Sequence, residues 1–387
     1  MYNIQTLNKI SAVGTDLFDK AKYNIADAPE NPDAIMVRSA AMHDMEFGSN
    51  LLAIARAGAG VNNIPVDKCA EMGICVFNTP GANANAVKEL VIAGLLLSSR
   101  KIADALAWVP SLKGEGDQVG KLVEKGKSQF AGPEIKGKTL GIIGLGAIGI
   151  LVANAAVSLG MNVIGTDPFL SVNSALKLSR KVCIVPSTKE IFASSDYITV
   201  HVPCNADTKG FINADSIASM KDGVKVLNFA RGELVNTNDM ISALDNGKVS
   251  CYVTDFPNAE IIGVKNAVCI PHLGASTPES EDNCASMAAE ELIDYIENGN
   301  IKNSVNFPDA QLNAEGTKVC ILHKNVPDVI SQVTSVFGQN NVNIDNMINK
   351  SKKTFAYTMI DTSADVSDEL ISRIDALENI IKVRVIK

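Results

Sequence analysis

Lys138 to Asp167 read KTLGIIGLGAIGILVANAAVSLGMNVIGTD, and the fold is decided there. An apolar run at 140–143 enters Gly144, Gly146 and Gly149, and a helical pattern follows as far as Leu159. A strand that turns through such glycines into a helix is suited to a diphosphate. The first glycine permits the tight turn, the second lets backbone approach the phosphates, and the third lets helix and strand pack closely. The helix start adds free N–H groups and the positive end of its dipole. The next apolar run ends at Asp167, whose carboxylate suits ribose hydroxyls and repels a 2′-phosphate. Pro168 and Phe169 follow, with no arginine to hold that phosphate, so the stretch predicts NAD and not NADP.

Outward from this turn, apolar runs at 197–200, 224–229, 252–254 and 268–270 alternate with helical patterns. Strands alternating with helices predict a parallel sheet covered on both faces. Ser187-Thr188-Lys189-Glu190 reads as a capping box, and Asn246-Gly247 as a left-handed helix end. Toward the N-terminus, strands are expected at 35–37, 52–56 and 75–78, then one helix from Asn83 to Ala107. Residues 113–138 are polar and lysine-rich, which predicts a surface excursion without regular structure. A long helix opens at Thr277-Pro278 and stops at Gly299; it is expected to cross back and complete the first domain.

Beyond a polar linker at 306–316 the pattern changes. Strands at 319–322, 342–348, 355–360 and 383–386, with helices at 328–339 and 367–376, give the order β-α-β-β-α-β of a separate ferredoxin-like module. The expected fold class is α/β: two Rossmann-like domains, one inserted into the other, plus this module. The boundaries expected are 1–97 with 275–305 for a split substrate domain, 98–274 for the nucleotide domain, 306–315 for the linker and 316–387 for the module.

The 387 residues allow two or three domains, and 46% hydrophobic with 20% charged content is globular. A net charge of -8 without a long basic run argues against nucleic acid or an anionic membrane as partner. The N-terminus shows no secretory signal, and the apolar run at 90–97 is too short to span a bilayer. Eight cysteines without a C-x-x-C pair speak against disulfides and structural metal, and for the reducing cytoplasm.

Three polar residues stand just beyond later strands of the central sheet: Arg231, Glu260 and His272. Ligands of open α/β sheets bind outside the carboxyl ends of the strands, so all three are expected at the nicotinamide end. Hydride leaves a carbinol carbon only as the hydroxyl proton is removed. Histidine is a base of suitable pKa, and a carboxylate on its other nitrogen orients the ring. Arginine holds a carboxylate with two parallel donors. Together they specify a 2-hydroxy or 2-oxo acid. Each residue alone could instead be a strand-end histidine, a solvated acid or a surface ion-pair partner.

At these residues the chain resembles the D-isomer-specific 2-hydroxyacid dehydrogenases. The motifs are the glycine turn, Asn228-Phe229-Ala230-Arg231-Gly232, Asp255 with Glu260, and Pro271-His272-Leu273-Gly274-Ala275-Ser276-Thr277. The resemblance implies His272 as acid/base, Glu260 as its partner and Arg231 as carboxylate anchor. It implies NAD contacts from Gly144, Gly146, Ala147, Ile148, Gly149, Asp167, Val202 and Pro203. Further contacts would come from Phe229, Ala230, Arg231, Asp255, His272, Leu273, Gly274 and Ala275. Arg38 and Ser39 look like donors for a substrate phosphate, and Gly60 and Val61 for a carboxylate; Asn83 also faces substrate by this likeness. The nearest branch implies oxidation of 3-phospho-D-glycerate to 3-phosphohydroxypyruvate at the entry to serine synthesis, in a homo-oligomer, dimer or tetramer. The alternatives are a dehydrogenase for glycerate or another D-2-hydroxy acid, and a non-catalytic NAD-sensing protein.

The module after the linker resembles the ACT regulatory domain. That likeness implies an L-serine effector held by His323, Asn325 and Asn343. Asp328 stands where such turns usually carry glycine. The bland alternative is a module that only pairs subunits.

Overall fold

The computed structural model describes residues 1–313 and 316–387, and the chain divides into two compact units. One comprises Met1–Asn83 with Pro278–Lys387, the other Ala84–Thr277.

The first unit holds two sheets. Five parallel strands, β1 (Tyr2–Leu7), β2 (Tyr23–Ala26), β3 (Ala34–Val37), β4 (Ala53–Arg56) and β5 (Cys75–Asn78), lie in the order β2-β1-β3-β4-β5. β3 is buried along its whole length, as a central strand covered on both faces must be. β1 and β2 escape the sequence reading. Of the six residues in β1 only Ile4 is buried, and Asn3, Gln5 and Thr6 hide the strand's apolar signal.

The second unit carries seven parallel strands. These are β6 (Thr139–Ile143), β7 (Asn162–Thr166), β8 (Val182–Ile184), β9 (Tyr197–Val200), β10 (Val224–Asn228), β11 (Val249–Thr254) and β12 (Ala267–Cys269). Their order is β12-β11-β10-β9-β6-β7-β8, so the order in which the chain lays down its parallel strands reverses between β6 and β9. That switch point opens a crevice at the strands' carboxyl ends, where such sheets bind ligands. The expected helix from Asn83 breaks into Ala84–Ser99 and Ile102–Trp108. Its first part packs inside this unit: a Cβ on Gly94 would lie 2.7 Å from the Phe229 ring. The unit therefore begins at Ala84, not residue 98, and ends at Thr277, not 274.

Ser187 caps its helix without a side-chain bond; the capping box forms instead between Asn213 and Ser216. The helix Thr237–Asp245 ends as expected, with Gly247 at φ 81°. Residues 113–138 are not irregular but contain the helix Val119–Gly126 between short 3-10 turns, none of whose residues is buried.

The C-terminal strands β13 (Thr317–Lys324), β14 (Asn346–Lys352), β15 (Phe355–Thr362) and β16 (Ile380–Ile386) form an antiparallel sheet in the order β14-β15-β13-β16. β14 starts later than expected, at Asn346. Val319 and Ile321 face the helices Val329–Gln339 and Asp368–Asp375. Cys320 and Leu322 point the other way, into one apolar core shared with Ile4, Phe77 and Tyr295. The expected separate module is thus joined to the first sheet by a common core.

Polar contacts strengthen the joint. The helix Pro278–Asn298 leaves carbonyls unpaired at its end. Arg384 donates to the Tyr295 and Ile296 carbonyls (3.1 and 2.8 Å), Lys318 to Asn298 (2.7 Å) and Tyr357 to Gly299 (2.6 Å). The chain from Asn303 onward is no free linker either. Ser304 bridges Phe77, and Asn306 accepts from Val76 N–H and donates to the Ile74 carbonyl; Phe307 is fully buried. The end of the expected linker, residues 314–315, lies outside the described residues.

Within the long helix Glu291 is 6% exposed, and burial pushes its carboxyl up to about 8. A carboxyl whose folded pKa is raised binds a proton more tightly folded than unfolded. Its favourable contribution is complete below the unfolded value and is lost as pH rises through about 8. Glu291→Gln is therefore expected to match the wild-type melting temperature at pH 5 and exceed it at pH 8.5. Equal melting temperatures at both pH values would contradict the assignment.

Candidate active site

The glycine turn leaves β6 at its carboxyl end. Gly144 sits at φ 96°, and a Cβ there would lie 2.6 Å from the His201 carbonyl oxygen. A Cβ on Gly149 would lie 2.0 Å from the Gly144 carbonyl oxygen, so helix and turn can touch only at glycine. Gly146 has open space before it and caps the helix Ala147–Ser158. Ala147 beside it is exposed, while Ile148 packs partly against the unit's core. Asp167 is fixed at the end of β7, its Oδ2 accepting from Leu145 N–H (2.9 Å) and its Oδ1 from Phe169 N–H (2.8 Å). Its carboxylate is thereby held against the glycine turn. Val202 flanks Gly144, its Cγ1 3.0 Å from where a Cβ would stand, and Pro203 next to it is exposed.

After β10 the chain turns through buried Phe229 to Ala230 and Arg231. The buried Asn228 side chain holds this turn, donating to the Arg231 carbonyl (2.8 Å) and accepting from Ala230 N–H (3.2 Å). Arg231 itself is exposed, one donor resting on the Ala230 carbonyl (2.6 Å).

Asp255 follows β11 at 1% exposure and accepts from Gly274 N–H (3.3 Å). Burial pushes its carboxyl above the usual range, while His272 and the backbone N–H groups of Leu273 and Gly274 pull it down. It thus anchors the His272–Ala275 loop. His272 is exposed and stacks at a tilt on Phe256 (centroids 4.5 Å). Here the expected pairing differs: among the described residues His272 and Glu260 share no hydrogen bond or ion pair, and both are exposed. Glu260 lies on the loop after β11, at a cavity of about 670 Å³ lined also by Lys209, Asn236 and Phe256. That cavity takes in neither Arg231 nor His272, so it is not where the trio converges.

NAD fits this unit. Gly146 would face its diphosphate with open space, and Asp167 would stand at its ribose. Asp255 Oδ1 is buried without a partner, and so available to a carboxamide of the nicotinamide ring.

The first unit carries the residues expected to face substrate. Arg38 and Ser39 follow β3 beside the switch between β1 and β3. Their turn is held by Asn8, at φ 71°, whose Oδ1 accepts from Ser39 and Ala40 N–H (2.9 and 2.7 Å). Arg56 donates to the Arg38 carbonyl (3.0 Å), and the Arg38 guanidinium pairs with Glu281 (2.7 Å). Asn78 donates to the Ala59 carbonyl (2.6 Å), steadying the loop that contains Gly60 and Val61. Asn83 is half-buried at the end of this unit's first segment. Asn8, Arg56 and Asn78 were not singled out by sequence. Only Asn8 had a signal, an asparagine at the end of a strand that was itself missed.

The expected effector residues each have a partner within the C-terminal strands and their turns. His323 is 2% exposed and satisfied by the Lys324 carbonyl and Thr358 (2.8 and 2.9 Å); burial lowers its pKa. Asn325 is exposed and donates to the Lys353 carbonyl, and Asn343 donates to Asp345. Asp328 takes the left-handed conformation expected of glycine there, φ 67°.

All eight cysteines are free thiols, and no group of residues suited to a metal occurs among the described residues. No helix is long and apolar enough to cross a membrane.

Residues 92–274 match the family "D-isomer specific 2-hydroxyacid dehydrogenase, NAD binding domain". Over 289 residues the chain is 36% identical to D-3-phosphoglycerate dehydrogenase of Archaeoglobus fulgidus, covering 72% of this chain and 52% of that one. The chain thus spans little more than half the length of that relative. Over 355 residues it is 31% identical to the Haemophilus influenzae protein of the same name, covering 88% of this chain and 83% of that one. The NAD+-bound 3-phosphoglycerate dehydrogenase of Entamoeba histolytica has the same fold, with a TM-score of 0.61 at 24% identity over 80% of this chain and 99% of that one. The glycine cradle, the buried Asp255 beneath the His272 loop and these likenesses agree: the chain belongs to the D-isomer-specific 2-hydroxyacid dehydrogenase family.

Proposed function

We propose that this chain oxidises 3-phospho-D-glycerate to 3-phosphohydroxypyruvate, the first step of L-serine biosynthesis. The observation that carries the reading is the Arg38 guanidinium on the turn after β3, whose charge suits a phosphate, in a chain that also holds Arg231 and His272. The two relatives named for phosphoglycerate support the same substrate.

The acceptor for the carbinol hydride would be supplied by NAD when bound. His272 takes the hydroxyl proton, and the Phe256 ring and the Asp255-anchored loop hold its imidazole in place. Glu260 pairs with the imidazolium once it forms. Arg231 grips the substrate carboxylate through two donors, on a turn fixed by Asn228.

Arg38→Ala is expected to raise KM for phosphoglycerate about 10-fold, since a charge-assisted hydrogen bond contributes roughly 1.5–3 kcal/mol. KM for hydroxypyruvate in the reverse direction should move less than twofold. An equal rise for both would remove Arg38 from the phosphate site. One observation favours a second reading, an unphosphorylated D-2-hydroxy acid: Arg38 is engaged by Glu281 and must exchange that carboxylate for a phosphate.

The reading includes a homo-oligomer, dimer or tetramer. Leu106 and Val109 are 68% and 53% exposed beside the helix Val119–Gly126, an apolar surface suited to a second copy. L-serine acting on the C-terminal module is retained as its regulatory role, through Asn325 and Asn343 and not through buried His323. Eight free thiols fit the cytoplasm.

A further inference from the structure

Where the carboxyl end of β5 meets β14, both in the first unit, a groove of about 540 Å³ opens. Asn78, Asn303, Asp309, Ser351 and Lys352 line it. Its two charges are opposite but not joined. The half-buried Lys352 ammonium donates once, to the Ser304 carbonyl (2.7 Å), and forms no ion pair among the described residues. Burial lowers the Lys352 pKa, and the exposed Asp309, also lining the groove, partly opposes that shift. A half-buried ammonium bonded only to one carbonyl keeps donors to spare, and a ligand bringing a carboxylate would meet them. The same ligand needs a cation for Asp309.

We propose that this groove binds a small zwitterion of the α-amino-acid class, its carboxylate on Lys352 and its ammonium on Asp309. Amide groups at the groove connect it to the rest of the unit. Asn303 donates to Glu291 Oε1 (2.7 Å), the buried carboxyl whose other oxygen has no partner among the described residues. Asn78 donates to the Ala59 carbonyl (2.6 Å) and so bears on the loop holding Gly60 and Val61. A ligand touching Asn78 stands one hydrogen bond from that loop. The site differs from the Asn325 and Asn343 positions and requires no particular substrate.

The test is calorimetric titration of glycine into the full chain, with acetate and ethylammonium as half-ligands carrying one charge each. Glycine should bind, and each half-ligand should bind at least 10-fold more weakly, because a charged hydrogen bond contributes roughly 1.5–3 kcal/mol. Lys352→Met keeps the apolar stem and Asp309→Asn changes only an exposed charge. Each should weaken glycine about 10-fold or more by the same measure, with Asn343→Ala within twofold of wild type. No binding of glycine to the wild type overturns the proposal. So does binding that survives Lys352→Met and Asp309→Asn, or that is lost in Asn343→Ala. None of these readouts uses turnover, so the proposed reaction can fail while the groove stands, and the reverse.

Discussion

His272→Gln is expected to lower kcat by about 10³-fold while leaving the dissociation constant for NADH within threefold, since a positioned acid/base contributes roughly 10²–10⁴ in rate. The asymmetry follows from how the residue is held. His272 is exposed on a loop whose anchor is elsewhere: Asp255 takes Gly274 N–H and is itself 1% exposed. Glutamine in place of the imidazole therefore leaves the loop from Leu273 to Ala275 standing and removes only the proposed proton acceptor. Stopped-flow fluorescence for NADH binding, with steady-state rates, separates the two. Unchanged kcat would refute the assigned role, and loss of NADH binding would make His272 a structural residue of the loop. Asp255→Asn serves as contrast. It keeps the shape but loses the charge beneath the loop, so it is expected to weaken NADH binding as well as turnover.

The second large effect concerns the joint between the first sheet and the C-terminal strands. Arg384→Leu should destabilise the chain by about 3 kcal/mol, because the Ile296 carbonyl loses a charged donor, an unmade bond costing roughly 1–3 kcal/mol, while the Tyr295 carbonyl keeps only Gly299 N–H. The guanidinium also stacks over Tyr295 (4.6 Å), an attraction of about 0.5–2 kcal/mol. It sits at the negative end of the helix Pro278–Asn298, where a cation is favourable in any case. Leucine replaces apolar stem but none of these donors. Thermal denaturation should show a lower melting temperature for Arg384→Leu, with Arg384→Lys between it and the wild type. Limited proteolysis should release the C-terminal strands earlier than in the wild type. If Arg384→Leu melts with the wild type, the joint owes its strength to the apolar core alone.

The sequence disclosed the nucleotide unit well because its chemistry is local. Gly144, Gly146 and Gly149 fall within six residues; the structure repeats the steric reason at Gly144 and at Gly149, down to its 2.0 Å approach, and leaves open space before Gly146. Asp167 was legible because β6, the turn and β7 are consecutive. β1 was illegible because its residues are half-exposed at the strand's polar positions, and β8 because three edge residues carry no periodicity. The joining of the C-terminal strands to the first sheet was missed although a sign was present. Val319-Cys320-Ile321-Leu322 is apolar without alternation, the mark of a strand covered on both faces. A strand in an isolated two-layer module would have alternated.

The candidate residues divide the same way. Arg231 and His272 were readable as polar groups after consecutive strands. Their supports, Asn228 and Asp255, were readable only as motif members, since a hydrogen bond to a neighbouring loop leaves no spacing to find. Asn8, Arg56 and Asn78 depend on pairings between strands distant in sequence. Glu260 was placed correctly on its loop, yet its bond to His272 is not made here; catalytic hydrogen bonds often tighten only with substrate present.

The central claim, that a phosphorylated D-2-hydroxy acid is oxidised here, rests on one comparison of rates. NADH formation from NAD should be measured with 3-phospho-D-glycerate and with D-glycerate on the same enzyme. Turnover of phosphoglycerate with kcat/KM about 10-fold or more above that for D-glycerate is the predicted result, the phosphate's contacts being worth roughly 1.5–3 kcal/mol. NADH formed from D-glycerate but not from phosphoglycerate would contradict it.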